Sequence, residues 1–246
     1  MMGCFPSAPA SSLIISGTKR RGSVPPCRAG HIGVEVMLLI AVIVLFTVAV
    51  AIGVFFFVPP AEGLGALVRI AFFHIPMAWV AVLAFCQNAW WGAAFLRRND
   101  FAADVKSAAA AKLGLLFTLL ATGSGALFAK LTWGAYWNWD PRQTTIFVLL
   151  LIYGAYLTLR TAISDPRRRG RASAVYALLA VLTVPFLVFI LPRLYFSLHP
   201  APLLNGAGAV AMDPVMLVVL GAALLDATLL YWWLWKRLCR QKGEGS

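Results

Sequence analysis

The feature that most constrains the fold of this chain is a series of long apolar runs without charge. The first of them, VMLLIAVIVLFTVAVAIGVFFFV at residues 36–58, contains no acidic or basic side chain. A helix needs about 20 apolar residues to cross a bilayer, and six stretches approach or reach that length. The predicted spans are 36–58, 75–96, 113–130, 145–161, 173–191 and 214–235.

The composition and the pattern of these runs agree on the fold class. Of the 246 residues, 61% are hydrophobic and only 12% are charged, whereas a soluble domain carries about 25% charged residues. The runs are continuous rather than alternating, which favours helices over the strands of a membrane barrel. Helices also satisfy their own backbone groups where water is absent. The sequence therefore predicts an all-α membrane protein, a bundle of six transmembrane helices.

The distribution of basic residues predicts the orientation of the spans. The net charge of +12 does not require a nucleic-acid partner, because the basic residues follow the spans. Seventeen of the 21 Lys and Arg residues precede span 1, follow span 6, or lie around the connections after spans 2 and 4. The other four are Arg69, Lys130, Arg142 and Arg193. Because basic loops remain in the cytoplasm, we expect both termini and the 97–112 loop there, and the loops after spans 1, 3 and 5 outside.

The chain ends and the cysteines carry little chemistry. The four cysteines form no CxxC pair and we expect no disulfide. Residues 1–34 hold no acidic residue and too short an apolar core for a secretory signal. They are expected to be a disordered basic tail, an organelle-targeting segment or an extension from a wrongly chosen start codon. Residues 35–240 then form the transmembrane domain, and 241–246 a cytoplasmic tail.

The loop between spans 3 and 4 has an unusual composition. The stretch WGAYWNWDPRQTT, residues 133–145, contains three tryptophans within seven residues. Tryptophan collects at membrane interfaces in general, but an interfacial belt needs no fixed spacing. If this segment is helical, Trp133 and Trp137 share one face of it, and Trp139 points elsewhere. Such a platform of rings suits a large, flat, apolar ligand.

The polar residues that follow the tryptophans have both a structural and a binding interpretation. Asp140 is a strong N-cap, Pro141 suits the first helical position, and Gln143 falls at the third, so the start of span 4 explains them. Arg142 is different, because the helix dipole disfavours a cation there. It either reaches solvent or holds an anion together with the helix N-terminus.

Two of the three histidines belong to the outward loops. His74 ends the first of these loops, and Pro76 fits the first turn of span 2. His199 lies in the third outward loop among prolines, whereas His31 is in the cytoplasmic tail. A single histidine is often only a polar contact, but neutral imidazole is also a common ligand of haem iron. Two imidazoles, the tryptophan rings and Arg142 on one side of the membrane predict a haem site.

Several segments resemble a known family. The stretch WGAYWNWDPRQT resembles the tryptophan-rich WWD signature of the haem-handling proteins of cytochrome c biogenesis. The segments FFHIPMAW, ATGS, DPRRRGR and SLHP resemble, in this order, segments of one branch of that superfamily. That branch is the six-span haem exporter protein C family of the cytochrome c maturation system. The likeness covers roughly residues 35–240.

The resemblance implies a b-type haem, iron protoporphyrin IX, as the cofactor. It assigns His74 and His199 as axial ligands, Trp133, Trp137, Trp139 and Asp140 to an external haem platform, and Arg142 to an assisting role. It also implies a location in the inner membrane, with the haem site on the periplasmic side.

The partners implied by the resemblance are ATP-binding-cassette subunits, a small single-span subunit and a membrane-anchored haem chaperone. The chain has no Walker A motif, so ATP hydrolysis would belong to a partner, and the implied role is haem transport rather than catalysis. One alternative is a cytochrome c synthase of the same superfamily, although those proteins have more spans and more haem-ligating histidines. The other alternative is a cofactor-free membrane anchor, with the aromatic residues forming only a belt.

A few polar or irregular residues lie inside the predicted spans. Asp226 in span 6 and the pair Gln87–Asn88 in span 2 are expected to form hydrogen bonds to a neighbouring helix or to a partner subunit. Pro185 is expected to kink span 5.

Overall fold

The computed structural model describes residues 29–199 and 212–243, and its regular elements are helices. The α-helices are α1 (Ala29–Ile52), α2 (Ala71–Arg98), α3 (Phe101–Trp133), α4 (Pro141–Ala162), α5 (Pro166–Pro185), α6 (Leu191–Leu194) and α7 (Pro214–Gly243). Two π-helical segments, Gly53–Phe57 and Phe186–Ile190, follow α1 and α5, and the 3-10 helix Ala66–Ile70 precedes α2.

Six helical stretches of the described chain are long and apolar enough to cross a membrane. They are Val36–Phe57, Ala66–Arg98, Phe101–Trp133, Pro141–Ala162, Pro166–Leu194 and Pro214–Gln241. The all-α class and the number of spans are therefore confirmed. The chain divides into two compact units, up to Leu38 and from Leu39 onward, and the candidate site residues all belong to the second. Most of the expected tail at 1–34 lies outside the described residues.

The second span begins earlier than its hydropathy predicts. Helix α2 starts at Ala71, directly after the 3-10 helix. His74 therefore lies on the helix, and its assignment to the preceding loop is wrong. Pro76 is an interior helical residue rather than a first-turn residue, because the apolar residues before it already continue the helix.

The third span also begins earlier, at Phe101 instead of residue 113. Asn99 ends α2 in a left-handed conformation with φ 50°. The Asp100 carboxylate then caps α3 by accepting a 2.9 Å hydrogen bond from the Ala102 N–H. The alanine-rich stretch that follows is helical because alanine has the highest helix propensity. The expected 97–112 loop is thus a two-residue connection.

Glycines allow the helices to approach an aromatic core. The Phe85 ring on α2 is buried and stacks on the buried Tyr153 ring of α4. A Cβ added to Gly114 on α3 would lie 2.6 Å from Phe85 Cε1. A Cβ added to Gly170 on α5 would lie 2.5 Å from Phe95 Cζ. These two close approaches fix the packing of α2 against α3 and α5.

The polar residues inside the spans bond to neighbouring helices, as the sequence predicts. The pairs are Asn88–Ser107 at 2.9 Å, Thr47–Asp226 at 3.0 Å and Gln87–Tyr231. Pro185, where a kink is expected, ends α5, and the π-helical segment follows it, so the helix type changes at this proline. The chain then runs through α6 towards His199.

Candidate functional site

The tryptophan-rich loop begins where α3 stops. Gly134 adopts a left-handed conformation with φ 83°, and its N–H donates to the Lys130 carbonyl at 3.2 Å. Trp133 is thus the last residue of α3, and Trp137 lies outside any helix. The segment is therefore not helical as a whole, and these two rings do not share a helical face, because a glycine able to adopt positive φ ends the helix between them.

The start of α4 has the chemistry that the sequence predicts. Asp140 is the N-cap and accepts a 2.9 Å hydrogen bond from the Arg142 N–H, and Pro141 occupies the first helical position. Gln143 folds back onto the loop, where its Oε1 accepts from the Asn138 N–H at 2.8 Å. Its Nε2 donates to the Tyr136 carbonyl at 3.2 Å. The glutamine therefore attaches the tryptophan-rich loop to α4.

The Asp140 carboxylate also holds the segment that carries His199. Its Oδ2 accepts from the Leu198 N–H at 2.7 Å and from the Ser197 hydroxyl at 2.9 Å. Its Oδ1 lies 3.1 Å from His199 Nδ1. The residue is only 4% exposed. Asp140 thus joins the N-terminus of α4 to a segment almost sixty residues further along the chain, which no local sequence pattern shows.

The charges of this pair follow from their surroundings. Burial, helped by the nearby Arg142 and His74, lowers the pKa of His199 to about 4, although Asp140 acts in the opposite direction. Burial alone would raise the pKa of Asp140. Hydrogen bonds from the Arg142 and Leu198 N–H groups and from Ser197, together with His199, reverse this effect and lower it. A neutral imidazole therefore faces a carboxylate at pH 7. Nδ1 carries the ring proton and donates a hydrogen bond to Asp140, so Nε2 keeps a free lone pair.

His74 is held in the same tautomer by α3. Its Nδ1 lies 2.9 Å from the Ala121 carbonyl oxygen and 3.1 Å from Ser124 Oγ. A carbonyl only accepts, so Nδ1 donates and Nε2 again keeps its lone pair. The ring packs on Gly125, where an added Cβ would lie 3.0 Å from Cε1. The ATGS stretch, residues 121–124, thus supplies both hydrogen-bond partners of His74.

The two histidines line two cavities that share part of their walls. One has a volume of about 160 Å³ and is also lined by Trp137, Arg142 and Gln143. The other has a volume of about 900 Å³, and its walls include both histidines, Arg142 and Arg193. Its remaining lining is mainly apolar, for example Trp79, Phe128 and Phe189. Cavities of roughly 300–1,000 Å³ with few polar groups are typical of small-molecule sites.

The remaining predicted residues lie at different distances from the cavities. Trp133 packs edge-on against the His199 ring, with ring centroids 5.0 Å apart. Trp139 contacts Trp137 edge-on but has a left-handed backbone, with φ 54°, and is 72% exposed. The structure therefore brings His74, His199, Trp137 and Arg142 together directly, with Trp133 and Asp140 behind His199. Trp139 lies on the surface.

The structure adds residues that the sequence did not assign to the site. Ser124, Gly125 and Ser197 hold the histidine-bearing segments, and Arg193 lines the larger cavity. For Ser124 and Ser197 the ATGS and SLHP resemblances are signals, although nothing in the sequence connects Ser197 to Asp140. The Arg142 Nε is buried without a hydrogen-bond partner among the described residues.

Comparison with known proteins identifies relatives over most of the chain. A family model described as "Heme exporter protein C" matches residues 26–242. The "Heme exporter protein C" of Bradyrhizobium diazoefficiens is 33% identical over 167 residues, which are 68% of this chain and 63% of that protein. The Escherichia coli protein of the same name is 31% identical over 202 residues, 78% of each chain.

A third relative of that name, from Rhodobacter capsulatus, is 33% identical over 124 residues, 50% of this chain and 51% of its own length. The matched region therefore covers less than two thirds of the Bradyrhizobium and Rhodobacter proteins.

Proposed function

The chain belongs to the heme exporter protein C family, and from this premise we propose that it binds haem for cytochrome c maturation. The binding site is the pair of cavities between His74 and His199. The observation that carries the proposal is that both histidines line these cavities and both contact protein oxygens through Nδ1, which leaves Nε2 to bind iron. Such nitrogens are the usual imidazole ligands of haem iron.

The chemistry of the cavity walls fits haem better than a bare metal ion. A bare zinc ion takes four ligands from its surroundings, and the described residues contain no group of three His, Cys, Asp or Glu side chains suited to a metal. Haem brings four nitrogens of its own, so two imidazoles complete the coordination of its iron. The larger cavity, at about 900 Å³ with a mainly apolar lining, can accept a flat ligand of this size.

The other residues have separate roles in the proposed site. Trp137 offers a ring to the porphyrin, and Trp133 supports the His199 ring. Arg142 pairs with a propionate, which gives its buried Nε a charged neighbour. Arg193, on the wall of the larger cavity, is suited to the second propionate. Trp139 contacts haem only at the exposed rim.

The same proposal includes orientation and partners. The basic residues around the α2–α3 and α4–α5 connections favour a cytoplasmic location for both, with both termini on that side. The site then lies on the periplasmic side of the inner membrane. There the protein would present haem to the membrane-anchored chaperone, together with the ATP-binding-cassette subunits and the single-span subunit. We propose no catalytic residue, because haem is bound and passed on unchanged.

The test is an absorption spectrum of the purified protein with haem, oxidised and reduced. We expect the low-spin spectrum of iron held by two imidazoles. His74→Ala and His199→Ala should each abolish it, and His31→Ala, in the same protein, should not. A native protein that retains no haem would favour the cofactor-free anchor, and an unchanged spectrum in either cavity variant would refute the ligand assignment.

A further inference from the structure

The two proposed iron ligands differ in what holds their Nδ1 atoms. His199 Nδ1 donates to the Asp140 carboxylate at 3.1 Å. His74 Nδ1 donates to the Ala121 carbonyl at 2.9 Å and to the Ser124 hydroxyl at 3.1 Å, both of which are neutral. Both rings thus carry their proton on Nδ1, but the acceptor for His199 is charged, whereas the acceptors for His74 are neutral.

Asp140 is held in place independently of the histidine. The Arg142 N–H, the Leu198 N–H and the Ser197 hydroxyl all donate to its oxygens, at 2.7 to 3.1 Å. Every one of these contacts supplies a hydrogen to the carboxylate, and none competes with the carboxylate for the histidine proton. The acceptor for His199 is therefore a fixed negative charge, almost fully buried.

The charge of the acceptor determines how strongly an imidazole binds iron. A carboxylate at Nδ1–H draws the proton away from the ring and raises the basicity of Nε2, whereas a neutral carbonyl does so less. We propose that Asp140 is a positioning residue that makes His199 the stronger axial ligand and leaves His74 as the weaker ligand, the first to release the iron. This inference rests on the proposed haem site.

The asymmetry suits a protein that has to give haem away. His74 is on α2 and is held by α3, within the packed helices. His199 is on a short segment beside the tryptophan-rich loop and contacts Trp133. If His74 released first, the iron would stay attached to His199, beside the tryptophan-rich loop.

Resonance Raman spectra of the reduced, five-coordinate haem test this directly, through the iron–histidine stretching frequency. In His74→Ala the iron is bound by His199, and in His199→Ala by His74. We expect the higher frequency in His74→Ala. Adding Asp140→Asn should lower the frequency in the His74→Ala background and leave it unchanged in the His199→Ala background.

A matched control is available at another helix. Asp165 caps α5 by accepting from the Arg168 N–H at 2.7 Å, and neither His74 nor His199 bonds to it, so Asp165→Asn should leave both frequencies unchanged. In the otherwise native protein, Asp140→Asn should weaken ferric haem binding roughly 10–100-fold. If the affinity for ferric haem falls tenfold more than the affinity for ferrous haem, the reduction potential of the haem should rise by about 59 mV.

The outcomes separate this inference from the proposed function. If the single histidine variants remain six-coordinate and low-spin, the haem site itself is wrong. If they become five-coordinate with equal frequencies, the site stands and the asymmetry is wrong. This comparison needs no change at Asp140, so it decides the question even where Asp140→Asn folds poorly. Nitrogen NMR of the haem-free protein gives a third measurement, and a proton on Nε2 of His199 would overturn the role of Asp140.

Discussion

The contact between Gly125 and the His74 ring allows an experiment that separates ligand binding from folding. In Gly125→Ala the new Cβ would lie 3.0 Å from Cε1 and 3.4 Å from Nδ1 of His74. Optimal contacts between carbon atoms are about 3.5–4.0 Å long, so the ring has to move away from α3 by about 0.5 Å. That movement lengthens the hydrogen bonds from Nδ1 to Ala121 and Ser124.

The size of the effect follows from these hydrogen bonds. Losing one costs about 0.5–1.5 kcal/mol, which lowers haem affinity between about twofold and about tenfold. Alanine is favoured over glycine inside a helix by about 0.5–1 kcal/mol, which offsets most of the hydrogen bond lost from the fold, so the free energy of unfolding should change by no more than about 1 kcal/mol. Haem affinity is thus expected to fall while the stability of the fold stays close to the native value.

Gly123→Ala is the matched control, because it lies on the same helix and its added Cβ would meet no atom within 4 Å. It should gain helix propensity and keep native haem affinity. Haem titration and thermal unfolding, measured for both variants and the native protein in one detergent, give the two quantities. Equal haem affinity in the two alanine variants would refute the role of the α3 surface in holding His74.

Three further predictions concern charge. The unfolded chain takes up a proton on His199 near pH 6.5, but the folded haem-free protein does so only near the lowered pKa of about 4. Stability should therefore fall as the pH falls through this window, and thermal unfolding of His199→Ala should depend less on pH there. Arg142→Ala should weaken haem binding by about 1.5–3 kcal/mol but barely affect haem dimethyl ester, and equal losses would exclude the propionate contact. Single cysteines introduced at positions 136 and 168 should react with an impermeant reagent only at 136, and external labelling at 168 would invert the proposed orientation.

The general architecture could be predicted from the sequence because a bilayer imposes one dominant requirement on it. Continuous apolar runs give the number and class of the spans. The cap at Asp140 was also predictable, because the chemistry of Asp-Pro at a helix start is local. The start of α3 was not predictable from hydropathy. The helix propensity of alanine extends α3 beyond the apolar core that hydropathy detects.

The candidate site was only partly predictable, for a related reason. The residue types pointed to His74, His199, the tryptophans and Arg142, since few side chains bind iron or stack on a flat ring. Their arrangement depends on contacts between distant parts of the chain, such as Asp140 with Leu198 and His199. The position of Trp139 on the surface depends on backbone angles in a loop, which the spacing of the tryptophans does not determine.

Asp140 shows why a structural and a binding interpretation of one residue need not exclude each other. The same oxygen, Oδ1, accepts the capping N–H of Arg142 and faces His199 Nδ1. The position of the carboxylate is thus set by the first turn of α4, and the histidine ring takes its orientation from that position. A substitution that moves the cap also moves the acceptor at Nδ1. The start of α4 and the direction of the His199 lone pair are therefore coupled, so the fold at this point is part of the site.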